Sequence, residues 1–486
     1  MRVVTSSPTP AEIPGGVPSL RQRRTVVLAS VTAFMVGLDI LVIMVALPTL
    51  FETLRASASD LGWTVNAYEI GFAASLLTSS ALGDRYGRRL VFVIGVGIFT
   101  VGSVWCALSS ASGIGMLIVA RAFQGIGGGT GMALGLSIVT AVTPPAKRGT
   151  AFGVWGAIMG ISIAVGPLVG GGILHFLPWQ WIFWVNVPIG AVLIVLSLLW
   201  IDETKGHARQ LDLIGLILAS SAIILILQAL LRIGSVSGSD WTIVVGLIAG
   251  GIGLITFIQW ERRCADPMIP LAMFRDRSFA GGCASSFAIG AGIYGTAFMF
   301  TQYLQLVVGE DSIGVGVRLL PWVALAPLIA PLAGLLADRL GERPIIAVAL
   351  TLFAGAFFAI GVLVTSGRSY TTLVVPLVIA GIGVAAAMPT TATAVMRFTD
   401  PERFAIASGV SNTMRQAGAG FGVALAVAMF SAFGGYESGP EFFSGFGAAV
   451  YALAGVTLLG VIPALVIPPL RGRVAAGPGD SRTDDS

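Results

Sequence analysis

Long apolar runs follow one another along the chain, separated by short polar stretches that carry most of its charge. A helix rises 1.5 Å per residue, so about 20 apolar residues cross a hydrocarbon layer about 30 Å thick. On that measure the pattern predicts fourteen spans, near 25–48, 61–82, 90–110, 114–140, 150–174, 181–201, 211–231, 241–260, 279–307, 314–336, 344–365, 371–395, 404–433 and 445–469. The shortest divisions fall at 110–114 and 308–314. Residues 1–20 are rich in Ser, Pro and Gly and read as a disordered tail. The apolar run after Arg21, Arg23 and Arg24 is too long for the core of a cleaved leader, so it reads as the first span. The fold class expected is an all-α membrane protein.

Lys and Arg give the orientation. With the N-terminus inside, the tails and inner loops hold 22 of the 28 basic residues, and only Arg55, Arg232 and Arg368 fall on the other side. That asymmetry predicts cytoplasmic termini and an even number of spans. The chain also repeats itself. LGDRYGRR at 82–89 returns as LADRLGER at 336–343, and PAKRGTAFG at 145–153 returns as PERFAIASG at 401–409. Two matches at nearly one offset, 254 and 256, imply duplicated six-helix halves. The expected organisation is a tail (1–24), a first half (25–202), two inserted helices (203–262), a second half with its preceding loop (263–470) and a tail (471–486). A parallel repeat of this kind suits a transporter with its site between the halves near the midplane.

Composition narrows the class. Apolar residues make up 55% of the chain and charged ones 11%, against about 25% in an average soluble domain. Lipid accepts such a surface, and the 64 glycines suit close helix packing. The net charge of +4 sits in loop clusters that report orientation, which argues against nucleic-acid binding. Cys106, Cys264 and Cys283 have no paired or metal-type spacing and are expected as free thiols. No GxxxxGK[ST] loop is present, so ATP is not the expected energy source. With two histidines, one in an inner loop, no catalytic set is apparent, and an enzyme is not expected.

Several motifs then occur in a telling order. LGDRYGRR (82–89) follows span two, RAFQGIGGG (121–129) lies in span four and GAIMGISIAVGPLVGGG (156–172) in span five. LDILVIMVALP (38–48), WQWIFWVNVPIG (179–190) and NTMRQAGAGFG (412–422) complete the set. Together they resemble the major facilitator superfamily, and within it the fourteen-helix drug/proton antiporter branch, from about residue 25 to 470. The resemblance implies a 6+2+6 arrangement and a conformational latch at Asp84, Arg85, Gly87, Arg88 and Arg89, with Asp338 and Arg339 in the repeat. It implies proton coupling at Arg121 and an exporter motif at Gly156, Gly160, Gly166, Pro167, Gly170 and Gly171. Gln124, Asn186, Pro188, Asn412, Arg415 and Gln416 match further motif positions. Two departures are Ser80, where the latch motif begins with Gly, and Gln180, where Arg is usual.

Only two acids lie well inside the expected spans, Asp39 and Glu69. An intramembrane carboxyl is a functional candidate by default, because burial disfavours its charge and lets it exchange protons. Asp39, Glu69 and Arg121 all fall in the outer-to-middle layer of the first half and are the expected proton-coupling set. Glu69 stands where the family usually has an aliphatic residue, and it reads as a second proton site, a counter-charge for a cationic substrate, or a structural acid. Asp39→Asn is expected to remove titration while leaving packing and abundance near normal. The function implied is export of lipophilic or cationic drugs or antibiotics, driven by the proton gradient with no bound cofactor. The alternative is proton-coupled uptake of a small solute. The partners expected are the lipid bilayer, the drug and protons. The expected location is the bacterial inner membrane, as a monomer.

Overall fold

The computed structural model describes residues 20–111, 113–143, 158, 161–162, 165–166, 168–205, 212–232, 241–264, 267, 269, 271–397, 404–436 and 438–469. Among them every regular element is helical. This is what a lipid-embedded backbone requires, since a helix satisfies its own N–H and C=O groups within one segment. The first group comprises α1 (Leu20–Leu54), α2 (Ala58–Tyr86), α3 (Arg88–Leu108), α4 (Ile114–Val142) and α5 (Trp181–Trp200). A pair follows, α6 (Leu213–Arg232) and α7 (Trp241–Glu261). The last group is α8 (Arg277–Val307), α9 (Ile313–Leu340), α10 (Glu342–Thr365), α11 (Tyr370–Met396), α12 (Phe404–Phe433) and α13 (Gly439–Val466).

Twelve of the described helices are long and apolar enough to cross a membrane. The helix α2 is 29 residues long but too polar to count among them, because Asp60, Asn66 and Glu69 lie along it. The expected span 150–174 falls largely outside the described residues, which are helical at 168–176. Several helices overrun their apolar runs, Leu20–Leu54 against 25–48 and Ala58–Tyr86 against 61–82. Hydrogen bonding carries a helix past the hydrocarbon boundary until a cap or turn stops it. Ser57 and Asp60 form a reciprocal capping box that starts α2. The expected span 314–336 is interrupted near residues 324–325, where Pro327 cannot supply an N–H to a continuing helix.

Packing follows the glycines. A Cβ on Gly125 of α4 would stand 2.1 Å from the backbone oxygen of Tyr68 on α2, so these helices touch backbone to backbone. The same contact recurs in the last group, where a Cβ on Gly381 would lie 2.0 Å from the oxygen of Trp322. Trp322 stands 254 residues after Tyr68, and Gly381 stands 256 after Gly125. Across the two groups, α2 lies along α12 and α1 meets α8. The inserted pair packs on itself, and α6 also leans on α2 and α12. Its outer faces leave Ile217, Val244 and Ile252 exposed, a surface that lipid accepts.

Candidate functional site

Asp39 lies midway along α1, 15 residues or about 22 Å before Leu54. Arg121 of α4 donates from Nη1 to its Oδ2 at 2.6 Å, and both side chains are 1% exposed. The second carboxylate oxygen accepts from Gln124 Nε2 at 2.9 Å and from Asn186 Nδ2 at 2.7 Å. Gln124 also accepts from Arg121 at 2.7 Å and donates to Ser103 Oγ at 2.8 Å. The guanidinium stacks 4.2 Å over the Tyr68 ring, and its Nε donates to the Thr64 carbonyl at 3.4 Å. Five helices of the first group meet here: α1, α2, α3, α4 and α5. The pair is net neutral, so a proton added to Asp39 leaves an uncompensated positive charge in a buried site.

Sequence reasoning had Asp39→Asn as a packing-neutral change. In the structure every side chain bonded to the carboxylate donates to it. An asparagine NH2 therefore opposes a donor unless Asn186 turns inward its Oδ1, which is unpartnered among the described residues, and Arg121 loses its counter-charge either way.

Glu69 does not join this network. Its carboxylate accepts instead from Gln416 Nε2 of α12, across the boundary between the two helix groups. The helices α2 and α12 run antiparallel there. Gly62 faces Val427, Asn66 faces Gly420, Glu69 meets Gln416, and lower down Leu76 and Ser80 share a cleft with Ser408 and Asn412. Leu227 and Leu231 of α6 close the same seam, beside Gly420 and Gly62 respectively. Met132 and Ser137 of α4 complete the cleft wall.

The two ends of the bundle differ. At the end away from the termini, Gln305 donates to the Val45 carbonyl at 2.9 Å and His175 meets Asp311 at 2.9 Å. Phe51 packs at a tilt against Tyr436 with ring centroids 4.9 Å apart. All three contacts join the two groups. At the termini end a cleft lies between α2, α4 and α12.

The latch residues of that end are paired within their own group. Arg88 donates to Asp84 at 2.8 Å, and the Arg89 guanidinium reaches the Ile201 carbonyl at 3.2 Å. The Glu203 carboxylate accepts from the backbone N–H of Arg89 and Leu90, capping α3. Gly87 sits at φ 122°, which favours glycine, and Arg85 lies over the Tyr86 ring. In the repeat, Asp338 is 3.9 Å from Arg397, which also binds Glu342 at 2.7 Å, while Arg339 is exposed.

The sequence profile of the Major Facilitator Superfamily matches residues 29–320 and 282–483. The chain belongs to the major facilitator superfamily. It is a multi-pass membrane transporter and not an enzyme. Among curated relatives, the Multidrug resistance protein Stp of Mycobacterium tuberculosis (strain CDC 1551 / Oshkosh) is 33% identical over 407 residues, 83% of this chain and 75% of that protein. The Tetracenomycin C resistance and export protein of Streptomyces glaucescens is 30% identical, over 82% of this chain and 74% of its own. Among solved structures, the xylose transporter XylE from E. coli, partially occluded and inward-open, superposes with a TM-score of 0.66 at 14% identity, covering 94% of this chain and all of that one. At that identity the likeness is one of fold.

For this superfamily member the structure brings together Asp39, Arg121, Gln124 and Asn186 and sets Glu69 and Gln416 apart as a second pair. Of the exporter motif, Gly156, Gly160 and Pro167 lie outside the described residues. Gly166 and Gly170 abut Leu41 and Val42 of α1, just past Asp39, and Gly171 is buried. Asn412 accepts from Arg415 at 2.8 Å, and Pro188 is exposed on α5. Sequence reasoning missed Ser103, Tyr68 and Glu203. Nothing in their local sequence sets them apart, since each matters through a neighbour distant in the chain.

Proposed function

We propose that this transporter exports lipophilic drugs or antibiotics from the cell in exchange for protons, working in the bacterial inner membrane with both termini in the cytoplasm. The observation that carries the reading is the buried Asp39–Arg121 pair, held by Gln124 and Asn186 at positions that match further motifs of the drug/proton antiporter branch. Two relatives named for multidrug resistance and for antibiotic resistance and export support the substrate class.

Asp39 takes the proton. The charge this leaves on Arg121 is then met by the Thr64 carbonyl and the Tyr68 face on α2, by Gln124 on α4 itself and, more distantly, by the Phe183 face on α5. Protonation therefore shifts the attraction of α4 from α1 toward α2, and α2 is the helix that lies along α12. That couples the proton to rocking of one group against the other. When the termini end closes, the clusters at Asp84–Arg89 and Asp338–Arg339 meet as the latch. The far-end contacts His175–Asp311 and Gln305–Val45 then release.

Purified protein in liposomes with an imposed pH gradient tests this. Drug should move against the proton flow, drug addition should drive proton release, and a protonophore should abolish both. Drug accumulation that persists with the gradient collapsed overturns the reading. Drug moving in the same direction as protons establishes uptake instead.

A further inference from the structure

Glu69 is 2% exposed, yet only one of its oxygens has a partner among the described residues. Asn66, one turn away on the same face of α2, is fully buried with both its amide oxygen and its amide nitrogen unpartnered among the described residues. Gln416, which donates to Glu69, has its own Oε1 unpartnered in the same way. Four buried polar atoms therefore converge on one stretch of the α2–α12 seam. Leaving such groups unpaired is unfavourable, so their clustering marks a place where a ligand's polar atoms fit.

The surroundings define the ligand. Arg121 and Arg415 both act on Glu69 through space, but Arg121 is ion-paired to Asp39 and Arg415 is bonded to Asn412. Neither makes an ion pair with Glu69 among the described residues. Gly420 lies opposite Asn66, so α12 sets no side chain against that amide, and Leu227 of α6 flanks the same point with hydrocarbon. The cleft at Leu76, Met132 and Asn412 lies on the termini side of this point, and Asn412 is one turn from Gln416. A quaternary ammonium is recognised by aromatic faces. Here the Tyr68 face is already occupied by Arg121. The groups on offer are a carboxylate, two amides and Tyr294, which is close enough to act on Glu69 through space, and the carboxylate and amide oxygens reward N–H donors.

We propose that Glu69, Asn66 and Gln416 form a binding site for lipophilic protonated amines, recognised through the ammonium N–H. The amine replaces Gln416 as the donor to Glu69, its remaining polar atoms meet Asn66, and its apolar body lies against Leu227 and Leu76. This site is separate from the Asp39 network, so cargo and proton occupy different carboxylates. The proposal rests on the drug-export reading for its substrate class.

Two probes that differ by one methyl group test it: N,N-dimethyl-4-phenylbenzylamine and its trimethylammonium analogue. Equilibrium binding to the full-length protein in nanodiscs at neutral pH needs no gradient. The tertiary amine should bind about ten- to a hundredfold tighter, the worth of one charge-assisted hydrogen bond. Glu69→Gln should erase that preference, and Asn66→Ala should weaken the amine several-fold more than its analogue. Equal binding of the two probes by the unaltered protein overturns the proposal, whatever the variants do. So does a preference that survives in a folded Glu69→Gln protein. Equal binding alongside intact drug–proton exchange removes this site alone. A preserved preference without proton exchange removes the antiport reading and leaves the site standing.

Discussion

Neutralising Asp39 should strand Arg121, and a double-mutant cycle measures how much. In Asp39→Asn the amide NH2 must point either at Arg121 Nη1, 2.6 Å from the present Oδ2, or at Gln124 and Asn186, 2.9 and 2.7 Å from the present Oδ1. With the neighbours as they stand both orientations oppose donor to donor, and relief requires Asn186 to turn inward its Oδ1, unpartnered among the described residues. They also leave a guanidinium that is 1% exposed without its counter-charge. Breaking a buried pair by removing one partner costs about 3–5 kcal/mol. Arg121→Gln alone leaves the carboxylate with Gln124 and Asn186 but without its cation, and should cost a similar amount. In the double variant both groups are neutral, and the Gln carbonyl can accept from the Asn amide. Its cost should fall short of the sum of the singles by about 1–3 kcal/mol. Reversible unfolding in mixed micelles, followed by tryptophan fluorescence, reads all four corners of the cycle. Single variants that each cost under about 1 kcal/mol, or costs that add in the double, would refute a buried, mutually dependent pair.

The backbone contact between α2 and α4 should tolerate no side chain at Gly125. Gly125→Val should lower stability by at least about 1–3 kcal/mol, while Gly97→Ala, which meets nothing within 4 Å, should be neutral in the same unfolding assay. Glu203→Ala removes the carboxylate that caps α3 and should cost about 1 kcal/mol, with Glu203→Gln recovering part of it. His175→Ala deletes a half-exposed contact between the two helix groups. It should widen the distance between spin labels on the far ends of the 168–176 helix and α9 in more of the molecules, by no more than about fivefold in population. An unchanged distance distribution would show that this pair does not help hold that end shut.

The membrane class followed from the sequence because it depends on quantities that add along a chain: apolar run length, charge density and the side on which arginines fall. The repeat was legible for a related reason, since LGDRYGRR and LADRLGER are local strings that each build the same turn at a glycine. Asp39, Glu69 and Arg121 stood out because an ionised side chain in an apolar run is expensive wherever it lies. Their partners could not be read that way. Asp39 is 82 residues from Arg121 and 147 from Asn186, and a helix reports which residues share its face but not what faces them. Sequence put Asp39, Glu69 and Arg121 in one set by depth. The structure divides them, because α1 and α4 belong to one packed group while the Glu69 face of α2 turns outward to α12. Whether two buried charges at one depth form a pair is decided by helix rotation and packing, which only the tertiary structure specifies.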